Sequence, residues 1–144
     1  KVKAAGKEIR IDIEQEASSG PTASITSVEQ FHNVINGYVK GMNLKLKFDV
    51  SGMQGRMVKA TAWFYYADNS TKLNNAYGGQ VSVSSSDRAP YKNTTFTMNL
   101  FMPYPGLNMA PGWSGSLSFD IVIYDGSGNV LARKNNYSFT FSNF

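Results

Sequence analysis

Residues 41–52 read GMNLKLKFDVSG, and their alternation decides the fold class. Met42, Leu44, Leu46, Phe48 and Val50 fall on one side of an extended chain, opposite Asn43, Lys45, Lys47 and Asp49. A helix would scatter these apolar residues around its circumference, whereas a strand gathers them on one face. The segment is therefore a half-buried strand. The same period of two recurs on both sides of it. Upstream lies SITSVEQFHNV. Downstream come RMVKATAWFYY, QVSVS, YKNTTFTMNLFM, GSLSFDIVIYD and NVLARKNNYSFTFSNF, separated by MQG, ADNSTKLNNAYGG and DGSGN. Phe96, Met98 and Leu100 share a side of their strand, which Pro103 and Pro105 halt. In the last two runs Leu117, Phe119, Ile121 and Ile123 match Val130, Tyr137, Phe139 and Phe141 as inward residues of a hairpin, with a bulge near Asn135. Phe48, Phe64, Phe119 and Phe139 are the expected centre of the core.

Seven or eight strands at this spacing predict an all-β fold, an antiparallel immunoglobulin-like β-sandwich, with a closed barrel as the alternative. The one connection able to hold a helical turn is YPGLNMAPG. At 144 residues the chain has the size of one domain. Residues 1–23 read as a linker or an edge strand, with Ile9, Ile11 and Ile13 alternating, and residues 24–144 as the sandwich. The absence of an initiator methionine suggests a fragment or processed form. A secreted or periplasmic setting is preferred, no membrane span is expected, and no run approaches the ~18 apolar residues that one needs.

Composition excludes several chemistries. The chain has no cysteine, which removes disulfides, thiolate nucleophiles and cysteine-bearing metal sites. Its net charge of +4 is spread along the chain without a basic block, so nucleic acid is not an expected partner. The single histidine, His32, lies inside a predicted strand with no nucleophile-elbow motif to serve. Asp49 and Asp120 read as outward strand residues, and Asp68, Asp87 and Asp125 as turn residues whose carboxylates bond local N–H groups. No EF-hand or phosphate-binding loop is present, and no metal or cofactor is expected. Asn-x-Ser/Thr sequons stand at Asn69, Asn93 and Asn136, of a kind that a chain rich in these residues produces by chance.

The strand KATAWFYY, residues 59–66, carries large rings on both faces. Ala60, Ala62, Phe64 and Tyr66 point one way, and Lys59, Thr61, Trp63 and Tyr65 the other. Trp63 and Tyr65 are either covered or form an aromatic platform. If Lys45 and Lys47 join that face, with Trp113 as a further ring, the surface suits a sugar. The alternative, which the sequence favours, is that the 67–79 connection covers Trp63 with Leu73 and Tyr77.

The ordered motifs GMNLKLKFDVSGMQG, AWFYYADNSTKLNN, GGQVSV, LFMPYPGLN and LSFDIVIYD resemble a β-sandwich domain of Bacteroidetes multidomain proteins, often placed after an enzymatic or repeat domain. The resemblance spans Gly41 to Phe141. It implies an accessory module whose chemistry is carried elsewhere, and transfers no binding residues. Pro105 and Gly106 depart from its polar pattern and speak against a helical turn there. The function expected is a non-catalytic interaction or spacer module, partnered by other domains of its precursor or by another protein. A carbohydrate-binding module is the alternative, and a small hydrolase the remaining check.

Overall fold

A computed structural model describes residues 20–143. Seven strands run in chain order: β1 (Thr22–Asn36), β2 (Val39–Ser51), β3 (Met57–Tyr66), β4 (Ser82–Arg88), β5 (Asn93–Pro103), β6 (Ser114–Asp125) and β7 (Val130–Ser142). They form two antiparallel sheets, a three-stranded one in the order β1-β2-β5 and a four-stranded one in the order β4-β3-β6-β7. This is the immunoglobulin-like sandwich that the alternation predicts. The expectation for Ile9, Ile11 and Ile13 lies outside the described residues.

The apolar faces meet as read. Met42, Leu44, Leu46 and Phe48 are fully buried, as are Phe64, Phe119 and Ile121 from the opposite sheet. Phe48 stacks on Phe96, its partner on β5, with ring centroids 5.3 Å apart. Phe119 lies 5.6 Å from Phe64 and 6.1 Å from Phe139, so aromatic rings knit β3, β6 and β7. β3 pairs with a strand on each side. A central strand of this kind explains large side chains on both of its faces.

The hairpin of β6 and β7 keeps the expected register, Leu117 opposite Phe139 and Phe119 opposite Tyr137, and then slips between Phe119 and Ile121. Two residues of β7, Asn135 and Asn136, are accommodated there, so the bulge near Asn135 is present. Val130 corrects the inward set, because it is 55% exposed at the strand's mouth. The turn itself is organised by Asp125, whose Oδ1 accepts the N–H groups of Ser127 and Asn129, both at 2.9 Å. The bond from the Asn129 side chain, followed by the main-chain bonds of Asn129 and Ser127, holds the Asp125 carboxyl below its ordinary pKa.

Two other expectations are corrected. β4 begins at Ser82 and continues through SSDR to Arg88, later than QVSVS suggested, because it follows its partner β3 back to Met57. Residues Tyr104–Leu107 do form a 3₁₀ turn. Pro105 sits in its first turn, where a missing N–H costs nothing, and Leu107 is fully buried beneath it.

Candidate interaction surface

The residues singled out as a platform are divided between the two sides of the sandwich. Trp63 and Tyr65 occupy the outer face of the four-stranded sheet, opposite Asp120 and Ser118 on β6. Lys45 and Lys47 are exposed on β2, in the other sheet, opposite Glu29 and Ser27. The expected joint face of rings and lysines therefore does not assemble, because alternation fixes a residue's side but not its sheet. Trp113 precedes β6 and is half-buried against Gly115, where an added Cβ would lie 3.1 Å from the indole ring.

Trp63 is half-buried, and its Nε1–H donates to the Tyr124 hydroxyl at 2.8 Å. Its expected cover is corrected. Leu73 turns into the core and is 1% exposed, its N–H bonded to the Phe64 carbonyl, while Tyr77 is 97% exposed. The 67–79 connection instead reaches the Tyr65 end of the face through Asn69, whose Nδ2 donates to Ser118 Oγ and Asp120 Oδ1, both at 3.1 Å. Asp120 is buried and also accepts from Arg133 Nη2 at 2.8 Å and from the Asn136 N–H at 3.0 Å. Placed on the outer face as read, it is covered by these partners.

A different surface lies at the seam between β1 and β7, each an edge strand of its sheet among the described residues. The chain turns from β1 to β2 at Gly37 and Tyr38, with Gly37 at φ 66°, a conformation that glycine adopts without strain. This hairpin carries Phe31, Ile35, Tyr38 and Val39, all exposed, and Tyr38 has no cover at all. Below its tip β1 bulges between Phe31 and Val34, and Asn33 takes φ 57°. The bulge is pinned by Tyr104, whose hydroxyl accepts the Asn33 N–H at 2.9 Å and lies 3.3 Å from His32 Nδ1. His32 Nε2 is 3.0 Å from Gln30 Oε1, and Gln30 Nε2 donates across the seam to the Ser138 carbonyl at 3.2 Å.

The resulting cleft has a volume of ≈ 1130 Å³ and is lined by His32, Tyr38, Lys40, Tyr104, Thr140 and Phe141 among others. Tyr104 and Phe141 form part of its floor, with ring centroids 5.0 Å apart. None of its lining residues is an aspartate or glutamate. Burial against Phe139 pushes the His32 pKa below its ordinary 6.5, so the imidazole is neutral at pH 7. Both ring nitrogens already have partners, and neither faces a nucleophilic hydroxyl other than the Tyr104 phenol. Among the described residues no three His, Asp or Glu side chains converge as a metal site would require. The arrangement is equipped to hold a ligand by rings, amides and main-chain groups.

Sequence reading missed this hairpin, although Asn36-Gly37 is a strong hairpin signal and Phe31, Ile35 and Tyr38 stand close around it.

No protein family profile matches the chain, and no curated protein matches it. Among solved structures it is similar to a bacterial adhesin from Mobiluncus mulieris containing intramolecular disulfide, isopeptide and ester bond cross-links. In one crystal form the TM-score is 0.47 at 10% identity, covering 85% of this chain. In a second crystal form the TM-score is 0.46 at 11% identity. The chain spans 57% of the adhesin chain.

Proposed function

We propose that this chain is a non-catalytic interaction module of a larger bacterial protein. The observation that supports this reading is the seam cleft, a ≈ 1130 Å³ recess with no aspartate or glutamate among its described lining residues, overhung by a hairpin that exposes Phe31, Ile35, Tyr38 and Val39. Exposed apolar side chains gathered on one projection mark a contact surface, whereas a hydrolytic site needs a base aimed at a nucleophile. Assaying the purified chain on ester, peptide and glycoside substrates tests the reading. No turnover is expected, and turnover that His32→Ala abolishes would overturn it.

The half-exposed Trp63 favours a second reading, carbohydrate binding on the outer face of the four-stranded sheet beside Tyr65. Lys45, Lys47 and Trp113 lie away from that face, which leaves the Trp63 and Tyr124 pair as the rings available to a sugar. A glycan array comparing the wild type with Trp63→Ala tests it, and binding lost in the variant is the result this reading requires.

A further inference from the structure

The interaction-module reading leaves the class of partner open, and the main chain of β7 narrows it. Antiparallel strands bond their neighbour through alternate residues. Asn143 donates its N–H to the Trp113 carbonyl at 2.8 Å and accepts from the Gly112 N–H at 2.6 Å, so its main chain faces the β6 side. Two-residue alternation then turns Phe141 and Phe139 toward β6 and aims the main-chain groups of Ser138, Thr140 and Ser142 away from it. The Ser138 carbonyl agrees, since it takes the Gln30 amide from across the seam. The N–H and C=O groups of Thr140 and Ser142 have no partner among the described residues. They line the cleft together with Tyr38, Val39 and Lys40.

A row of main-chain donors and acceptors at strand spacing is matched by another extended backbone. Alternate side chains of such a strand would meet the floor made by Tyr104 and Phe141. Charge selects further. Lys40 is the one lysine or arginine among the lining residues, none of them is an aspartate or glutamate, and the whole chain carries +4.

We infer that the seam cleft binds an extended acidic polypeptide segment, which adds as a strand to the Thr140–Ser142 edge of β7 with its carboxylates toward Lys40. The inference rests on the interaction-module reading.

The test uses the full chain and the blocked heptapeptide acetyl-Glu-Val-Asp-Val-Glu-Ile-Asp-amide, followed by fluorescence polarisation. Control peptides carry Lys in place of each acid, or N-methyl groups at alternate residues. Thr140→Pro removes an N–H that faces the cleft and leaves the bonds to β6 in place, as edge strands tolerate. Lys40→Glu reverses the lining charge on an exposed position. The acidic peptide is expected to bind, to slow amide exchange at Thr140 and Ser142, and to bind about tenfold more weakly to either variant. Both control peptides should show a comparable loss. Equal binding by both variants, no binding by the acidic peptide, or occupation of this cleft by a glycan in its place would overturn the inference. Those failures, in a chain that still shows no turnover, leave the non-catalytic reading standing, while His32-dependent turnover overturns that reading itself.

Discussion

Asp120 of β6 accepts the backbone N–H of Asn136 at 3.0 Å, at the point where β7 carries one extra residue relative to its partner. A bulge frees a main-chain donor, and here a buried carboxylate takes it while also pairing with Arg133. Asn136 adopts φ 68°, a conformation that asparagine accepts more readily than most residues. The slip in register and the buried charge are thus one arrangement.

Replacing Asp120 with alanine strips partners from Arg133, Asn69 and the bulge together. A loss of about 3 kcal/mol is expected, toward the lower end for a broken buried pair because Arg133 reaches solvent. Urea unfolding of Asp120→Ala beside the wild type measures it. A change in the slope of the transition would signal an altered denatured or native state rather than this loss alone.

Phe119 is fully buried among Phe64, Phe139 and Tyr137. Truncation to alanine removes the ring that joins β3 to β7 and leaves a cavity, at an expected cost of about 3–5 kcal/mol. Chemical denaturation checks the value, and a loss below about 1 kcal/mol would place Phe119 outside the centre of the core.

Trp63 should show intermediate acrylamide quenching when Trp113→Phe isolates its emission. It is half-buried and held by Tyr124. Tyr124→Phe removes the bond that holds the indole in place and frees the ring to move toward solvent. An increase in quenching and a stability loss of about 1 kcal/mol are expected.

Asp68 accepts the N–H groups of Ser70 and Thr71 and the Thr71 hydroxyl. The Thr71 hydroxyl bond, followed by the two main-chain bonds, lowers its pKa from 3.8 to about 2. A carboxylate favoured in the folded state contributes stability above its unfolded pKa, and that contribution disappears as the pH falls through the folded value. A carbon-detected NMR titration of the carboxyl should therefore find its midpoint near 2. In Asp68→Asn the stability should vary less with pH across the interval between the two pKa values.

Period-two alternation made the sandwich legible because it records which side of a strand is wet, and Met42 to Val50 record it without exception. Alternation carries no information about which strand lies alongside. Lys45 and Trp63 could therefore be assigned to outer faces, but not to opposite sheets. Leu73 escaped for a related reason. An isolated apolar residue in a polar connection has no period, and Leu73 is placed by main-chain bonds to Phe64 and Val81 that no local pattern announces. The seam cleft is less legible still, since His32 meets Tyr104 across 72 positions and Gln30 meets Ser138 across 108. Asp125 was readable from its turn, because its bonds are all within four residues.

The Asn69 bridge decides what a glycosylating expression host would do to this chain. The nitrogen to which such a host attaches an oligosaccharide is the atom that donates to Ser118 and Asp120. Glycosylation replaces one of the two hydrogens on that nitrogen, so a decorated Asn69 keeps at most one of the two bonds, and a chain modified there before folding would lack the full bridge. Asn93 and Asn136 are exposed, and at Asn93 the oxygen rather than the nitrogen is engaged, by Ser51. Material recovered folded from a eukaryotic secretory pathway should carry sugar at Asn93 or Asn136 and none at Asn69, which intact-mass and peptide mapping would read directly.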